Sequence, residues 1–344
     1  MCKTLACIAV PWDAVSRELE IRPIATLSAL TLWNYSTLFA TKEGEILTLD
    51  NLTTLQTFTG TESWFYLISA AIEARSTFIL PLLLSSLHSV RSGNISHLTA
   101  DLRLLATEIV EMSAIIQRMN SECDPDIFYN SIRPYLAGWN KISPAGLPYG
   151  VIYEGTSRFY TNPPHPVDWI TGYRTYAGGS NAQSALIQAL DIVMGIDHRP
   201  TGEKRDTEGE GVPPPKKHEF IKEMREYMPG PHRRFLEDLT RVSNIRDFIS
   251  SYPDSLEGER LREAFDACLV GLRRFRDIHI QIVSRYILAP LRKATVKKAS
   301  PGGETGTGGT ALIPFLKQVR EETMEGVVAE YTRGLIAQGL FPRE

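Results

Sequence analysis

The sequence lacks most of the signatures that announce a chemistry. It has four cysteines, Cys2, Cys7, Cys123 and Cys268, and no two of them stand in a CxxC spacing. That excludes a disulfide scaffold and the common zinc and dithiol motifs, and scattered thiols suit a reducing cytoplasm. No HxxxH or HExxH pair occurs among the histidines, and no GxSxG elbow marks a serine hydrolase. Gly306-Thr307-Gly308-Gly309-Thr310 lacks the Gly-Lys-Ser/Thr ending of a P-loop. A GxGxxA match through Gly306, Gly308 and Ala311 follows no strand pattern, so a dinucleotide site is not expected either.

Charge of one sign is also missing. Lys+Arg 37 against Asp+Glu 40 leaves −3 over 344 residues, no field for nucleic acid or an anionic membrane. The most apolar stretch, Trp64 to Leu87, is interrupted by Glu73 and Arg75, both costly at the centre of a bilayer. No membrane span is expected. The apolar run before Pro11 and Asp13 is too short for a signal peptide.

What is present is helical periodicity. Leu102, Leu105, Ile109, Met112, Ile116 and Met119 step by three and four, one stripe of an amphipathic helix. A second stripe runs Leu261, Phe265, Cys268, Leu272, Phe275, His279, Ile282 and Tyr286, and Pro290 is expected to stop or kink it. Further helices are predicted over about 64–90, 124–139, 181–196, 216–228, 231–242 and 311–337, while period-2 alternation is scarce. The fold class is therefore all-α. Residues 199–217, mixing Pro, Gly and both charges, and 293–309, basic and then Gly/Thr-rich, read as mobile loops.

Several residues could carry chemistry. His279 lies on an apolar helical stripe, where a histidine is most often a satisfied core residue; the alternative is an axial haem ligand. Arg276, one turn earlier, could meet a haem propionate. Phe128, Tyr129 and Arg133 could line one cavity, aromatic faces against an indole and guanidinium against a carboxylate, or Arg133 could simply snorkel over core aromatics. Gly178-Gly179-Ser180 reads as a turn and helix cap that could approach a ligand. Asp191 is an acid in apolar company and needs a partner.

The segments Phe128-Tyr-Asn-Ser-Ile-Arg133-Pro-Tyr-Leu136-Ala-Gly-Trp139, Val151-Ile-Tyr-Glu-Gly155 and Ala177-Gly-Gly-Ser180-Asn-Ala-Gln183-Ser, continuing through Asp191-Ile-Val-Met-Gly195, resemble the indoleamine 2,3-dioxygenase family of haem enzymes. Met224-Arg-Glu-Tyr-Met-Pro229, His232-Arg, Arg276-Asp-Ile-His279-Ile-Gln-Ile-Val and Gly306-Thr-Gly-Gly-Thr310 extend the resemblance from about Ile8 to Gly334. It implies a single large helical domain over 1–344 binding haem b, with His279 as proximal ligand and Arg276 beside a propionate, linked to Asp191. It further implies that Phe128 and Arg133 grip the indole and carboxylate of L-tryptophan, with Ser69 as the distal serine. Phe65 and Tyr129 would be pocket aromatics, Gly179 and Ser180 would lie near the substrate, and Thr307 would sit on a lid loop. The implied reaction opens the indole C2–C3 bond with O2 on ferrous haem to give N-formylkynurenine, with an electron donor keeping the haem reduced. A related indole of secondary metabolism, or indole binding without turnover, stays open. Departures bear on the substrate: Tyr129 stands where Phe is usual, Asn181 where a small residue is, and Leu27 and Leu30 where Tyr and Cys are. The chain starts almost at the Ile8-Ala-Val-Pro11 block, so the family's small N-terminal domain is expected to be absent.

Overall fold

The computed structural model describes residues 2–42, 45, 47–139, 147, 149–156, 172–201, 220–295 and 311–329. Its helices are α1 Ala6–Glu18, α2 Gly60–Ala74, α3 Ser76–Ser92, α4 Ile95–Gln117, α5 Met119–Glu122, α6 Pro125–Ile127 and α7 Arg133–Leu136. They continue as α8 Ala185–Val193, α9 Phe220–Met224, α10 Gly230–Val242, α11 Ile245–Ser251, α12 Leu256–Val283, α13 Ala289–Thr295 and α14 Leu312–Met324. Among the described residues, short strands are confined to two small sheets. In one, β1 (Lys3–Thr4) pairs parallel with β4 (Val151–Tyr153), which pairs antiparallel with β5 (Tyr173–Arg174). The other is the antiparallel pair β2 (Tyr35–Thr37) and β3 (Leu52–Thr54). The protein is all-α in class, as its periodicity predicts.

The two predicted stripes make the centre of the molecule. Leu102, Leu105, Ile109 and Met112 on α4 are fully buried, as are Leu261, Phe265 and Cys268 on α12. The Cys268 thiol meets the Leu102 carbonyl, and at Gly271 an added Cβ would lie 3.0 Å from Ile109 Cγ2. The helices therefore run side by side in the same direction, so close at Gly271 that a side chain would collide. Side-chain oxygens fix the helix starts, each accepting from a backbone N–H: Thr59 from Glu62, Asn94 from His97, Ser184 from Ile187 and Ser255 from Gly258.

The apolar run of Gly60–Ser92 is long and apolar enough to cross a bilayer on length and composition alone. Here it is two helices meeting at Arg75, whose guanidinium pairs with Glu108 of α4, while Ile72, Ile79, Leu83 and Leu87 enter the core. Pro290 does not end its helix. The chain widens into a π-helical turn over Ser284–Leu288 and resumes as α13, which relieves the clash between the proline ring and the carbonyl one turn back. The predicted helix over 124–139 is likewise split by a π-turn at Phe128–Ile132. A third π-turn spans Ser28–Leu32. Most of the 199–217 loop, all of 293–309 beyond Thr295 and the end of the 311–337 helix lie outside the described residues.

Candidate functional site

Two adjoining cavities of about 190 and 130 Å3 open at one end of the α4–α12 pair. His279, Ser69, Ile72, Ile116, Asn181 and Phe315 line both. Ile116 belongs to the last full turn of α4, so the α12 stripe that packs on α4 higher up meets open space at His279. All three π-turns contribute to the walls, through Leu30, Phe128 and Tyr286. An extra residue per turn re-aims side chains that a regular helix would direct elsewhere.

His279 is enclosed. Burial and then the neighbouring Arg276 charge press its pKa down to about 4, so the imidazole is neutral at physiological pH. A neutral ring keeps a lone pair for a metal. Among the described residues no group of three or more His, Cys, Asp or Glu could hold a metal ion, so His279 is a lone nitrogen donor in this wall and not part of a ligand cage.

The first cavity is mainly apolar. Phe65 and Phe128 approach with ring centroids 4.9 Å apart and planes inclined by 56°, and Phe128 stands edge-on to Tyr286 at 5.8 Å. Tyr286 is fixed in turn by donating its hydroxyl to the carbonyls of Met119 and Cys123 at 2.9 and 3.0 Å. Arg133, buried, enters the same cavity with Ser69, Gly179 and Ser180. Gly179 is brought there by a close backbone crossing. A Cβ on Gly178 would lie 2.0 Å from the Leu136 carbonyl oxygen and one on Gly138 2.2 Å from that of Tyr176, so only glycines permit it. Leu27 and Leu30 make the inner wall apolar.

The second cavity is ionic at its far wall. Arg276 Nη2 donates to Asp191 Oδ1 at 2.5 Å, and its Nη1 donates to the Thr323 hydroxyl on α14. Burial works to raise the Asp191 carboxyl, but Arg276 and His198 outweigh it and hold the group below the usual range. Glu73, one turn beyond Ser69 on α2, faces the same space and accepts from the Ser184 hydroxyl. Burial lifts its pKa to about 7, the serine opposing.

The fold thus gathers Phe65, Ser69, Phe128, Arg133, Gly179, Ser180 and His279 around one cavity, and Asp191, Arg276 and His279 around its neighbour. Tyr129 is not on either wall; its ring packs beside the Arg133 guanidinium at 5.5 Å. Thr307 lies outside the described residues. The sequence reading missed Glu73 on the ionic wall and His198 behind it, bonded to Asp191. Glu73 had a usable signal, a carboxylate at helical spacing from Ser69 inside an apolar helix. His198 had none, since Glu322, its second partner, is 124 residues away.

The indoleamine 2,3-dioxygenase family model matches residues 4–326. An indoleamine 2,3-dioxygenase of Saccharomyces cerevisiae is 38% identical across 92% of this chain and 71% of its own length. A 6-hydroxytryptophan 2,3-dioxygenase of Fusarium equiseti is 34% identical, covering 94% and 74%. The human indoleamine 2,3-dioxygenase 2 is 33% identical, covering 93% and 72%.

Proposed function

The chain belongs to the indoleamine 2,3-dioxygenase family of haem-dependent enzymes, and from that premise we propose that it opens the indole C2–C3 bond of L-tryptophan with O2 to give N-formylkynurenine. The residues present fit haem b. A neutral, enclosed imidazole faces both cavities, apolar walls surround it, and the Arg276–Asp191 pair provides a cationic donor for a propionate. The observation that carries the reading is His279 between an aromatic cavity holding Arg133 and an ionic one holding Arg276. When bound, the haem supplies the ferrous iron at which O2 is activated, kept reduced by an external electron donor.

The protein's part is positioning. Arg133 takes the substrate carboxylate in a charge-assisted pair, which sets the amino-acid end of the ligand. Phe65 and Phe128 hold the indole between tilted faces. The leucine and isoleucine walls exclude water, and Ser69, whose hydroxyl donates weakly to the Phe65 carbonyl at 3.4 Å, is a polar residue of that lining. Gly179 and Ser180 border the substrate, and Thr307, outside the described residues, would belong to a lid loop. We assign the protein to the reducing cytoplasm on its four free thiols, and read the chain as one helical haem domain.

A ring-hydroxylated tryptophan is the second reading. A relative is named for that substrate, and Asn181, which like Leu27 lines both cavities, brings a carboxamide of the kind that bonds a ring hydroxyl. Reduced holoprotein given O2 with L-tryptophan or its hydroxylated analogues decides between them. N-formylkynurenine from L-tryptophan is expected; haem binding with no product from any indole would sink the enzymatic reading.

A further inference from the structure

The ionic wall extends past Arg276 and Asp191 to a histidine that the reaction above does not use. His198 lies just beyond α8, with little exposure. Its Nε2 is 2.9 Å from Asp191 Oδ2, and its Nδ1 is 2.8 Å from Glu322 Oε2 on α14. Carboxylate oxygens only accept, whereas a neutral imidazole has one donor and one acceptor nitrogen. Two carboxylates on two ring nitrogens are therefore both satisfied only by the imidazolium.

Each carboxylate is committed elsewhere as well. Asp191 uses its other oxygen for Arg276. The other oxygen of Glu322 accepts from the Arg199 backbone N–H at 3.1 Å and from Gln318 Nε2 at 2.8 Å. Glu322, Asp191 and Arg276 are all buried, and the chain Glu322–His198–Asp191–Arg276 joins α14, α8 and α12. The helix tied by Glu322 also supplies Leu312, Phe315 and Leu316 to the first cavity.

We propose that His198 is a positioning residue of the cofactor site: as an imidazolium clamped between Asp191 and Glu322, it fixes the carboxylate that orients Arg276 and holds α14 as a wall of the haem chamber. Loss of its second proton leaves one nitrogen lone pair facing a carboxylate, so one of the two links breaks and repulsion replaces it. The groups that set this protonation are Asp191 on α8, Glu322 on α14 and Arg276 on α12, with Asp197 and Arg199 beside it in the chain and Lys222 and Arg225 across the adjoining cavity. Burial disfavours the cation, but the two carboxylates outweigh burial and Arg276 and raise the group above its ordinary 6.5. The sign follows. The clamp is complete below the ordinary 6.5 while both carboxylates are ionised, and it is lost as pH rises through the raised value.

The proposal rests on haem occupying the chamber, and its test separates the two. Haem release from the holoprotein to excess apomyoglobin is followed across pH for the wild type, His198→Gln and Glu322→Gln. The wild type is expected to release slowly below the ordinary 6.5 and faster above a single step that lies higher than that. His198→Gln should release roughly ten- to hundredfold faster below that step, as supporting residues of metal sites do, and should show no step of its own. Glu322→Gln should move the step to lower pH, and it decides the matter alone if His198→Gln does not fold. Histidine nitrogen NMR on haem-free and haem-loaded protein should show both His198 nitrogens protonated below the step. A singly protonated ring, unchanged release in His198→Gln, or faster release that keeps the wild-type step overturns the proposal. Failure to take up haem at all would instead sink the cofactor reading, with the ring-nitrogen measurement still judging the clamp.

Discussion

Replacement of Glu73 by Gln probes the electrostatics of the chamber without touching its shape. In an unfolded chain this carboxyl ionises near 4.5; enclosed beside Ser184 it keeps its proton to about 7. At about 1.4 kcal/mol per pH unit, that gap corresponds to roughly 3 kcal/mol, an upper figure because the side chain keeps some surface toward the cavity. Between the two values the native state holds a proton that the unfolded state has lost, so stability falls as pH rises from 4.5 to about 7 and then levels. Below 4.5 both states are protonated and the group contributes no pH dependence. A glutamine can still accept from the Ser184 hydroxyl but has no charge to bury. Glu73→Gln is therefore expected to match the wild type in acid and to exceed it by up to about 3 kcal/mol in mild alkali. Urea unfolding across pH, on haem-free protein, measures the difference. Wild-type and variant curves that stay parallel, or a variant less stable in alkali, would refute a raised carboxyl in this wall.

Three further outcomes follow from the same geometry. His279→Ala should abolish the Soret band of stoichiometrically added haem while leaving the far-ultraviolet circular dichroism of the helices intact, because the ring faces a cavity and not the α4 contact. Arg133→Ala should lower kcat/KM for L-tryptophan roughly ten- to hundredfold, the worth of a charge-assisted bond of about 1.5–3 kcal/mol, and should leave the haem spectrum unchanged. Steady-state kinetics with a substrate lacking the carboxylate should show no such loss. Gly271→Ala places a methyl 3.0 Å from Ile109 Cγ2, so this fully buried side chain must give by a few tenths of an ångström. Overpacking of about 1–3 kcal/mol should outweigh the helix-propensity gain of about 1 kcal/mol, giving a net loss readable by thermal unfolding.

What the sequence made legible was periodic. The stripe through His279 identifies a core-facing helix, and the preceding Arg276 is readable because one helical turn is a short-range rule. Periodicity cannot distinguish a position packed on a neighbour from one facing a cavity, since both lie on the same face. Leu272 and His279 obey the same spacing, yet Leu272 is sealed in the core and His279 looks into the chamber. The π-turns were equally hidden. One lies just before Pro290, and no residue pattern at Phe128–Ile132 separates an i→i+5 hydrogen-bonded turn from an i→i+4 one. The ionic wall was the least accessible, because buried charge is defined by its partner. His198 is seven residues from Asp191 but 124 from Glu322, and that second distance is closed only by the packing of α14. An isolated reading of His198 gives a loop histidine between Asp197 and Arg199. Three-dimensional placement turns it into the junction of three helices, and it is there that the protonation of one ring becomes coupled to the shape of the chamber.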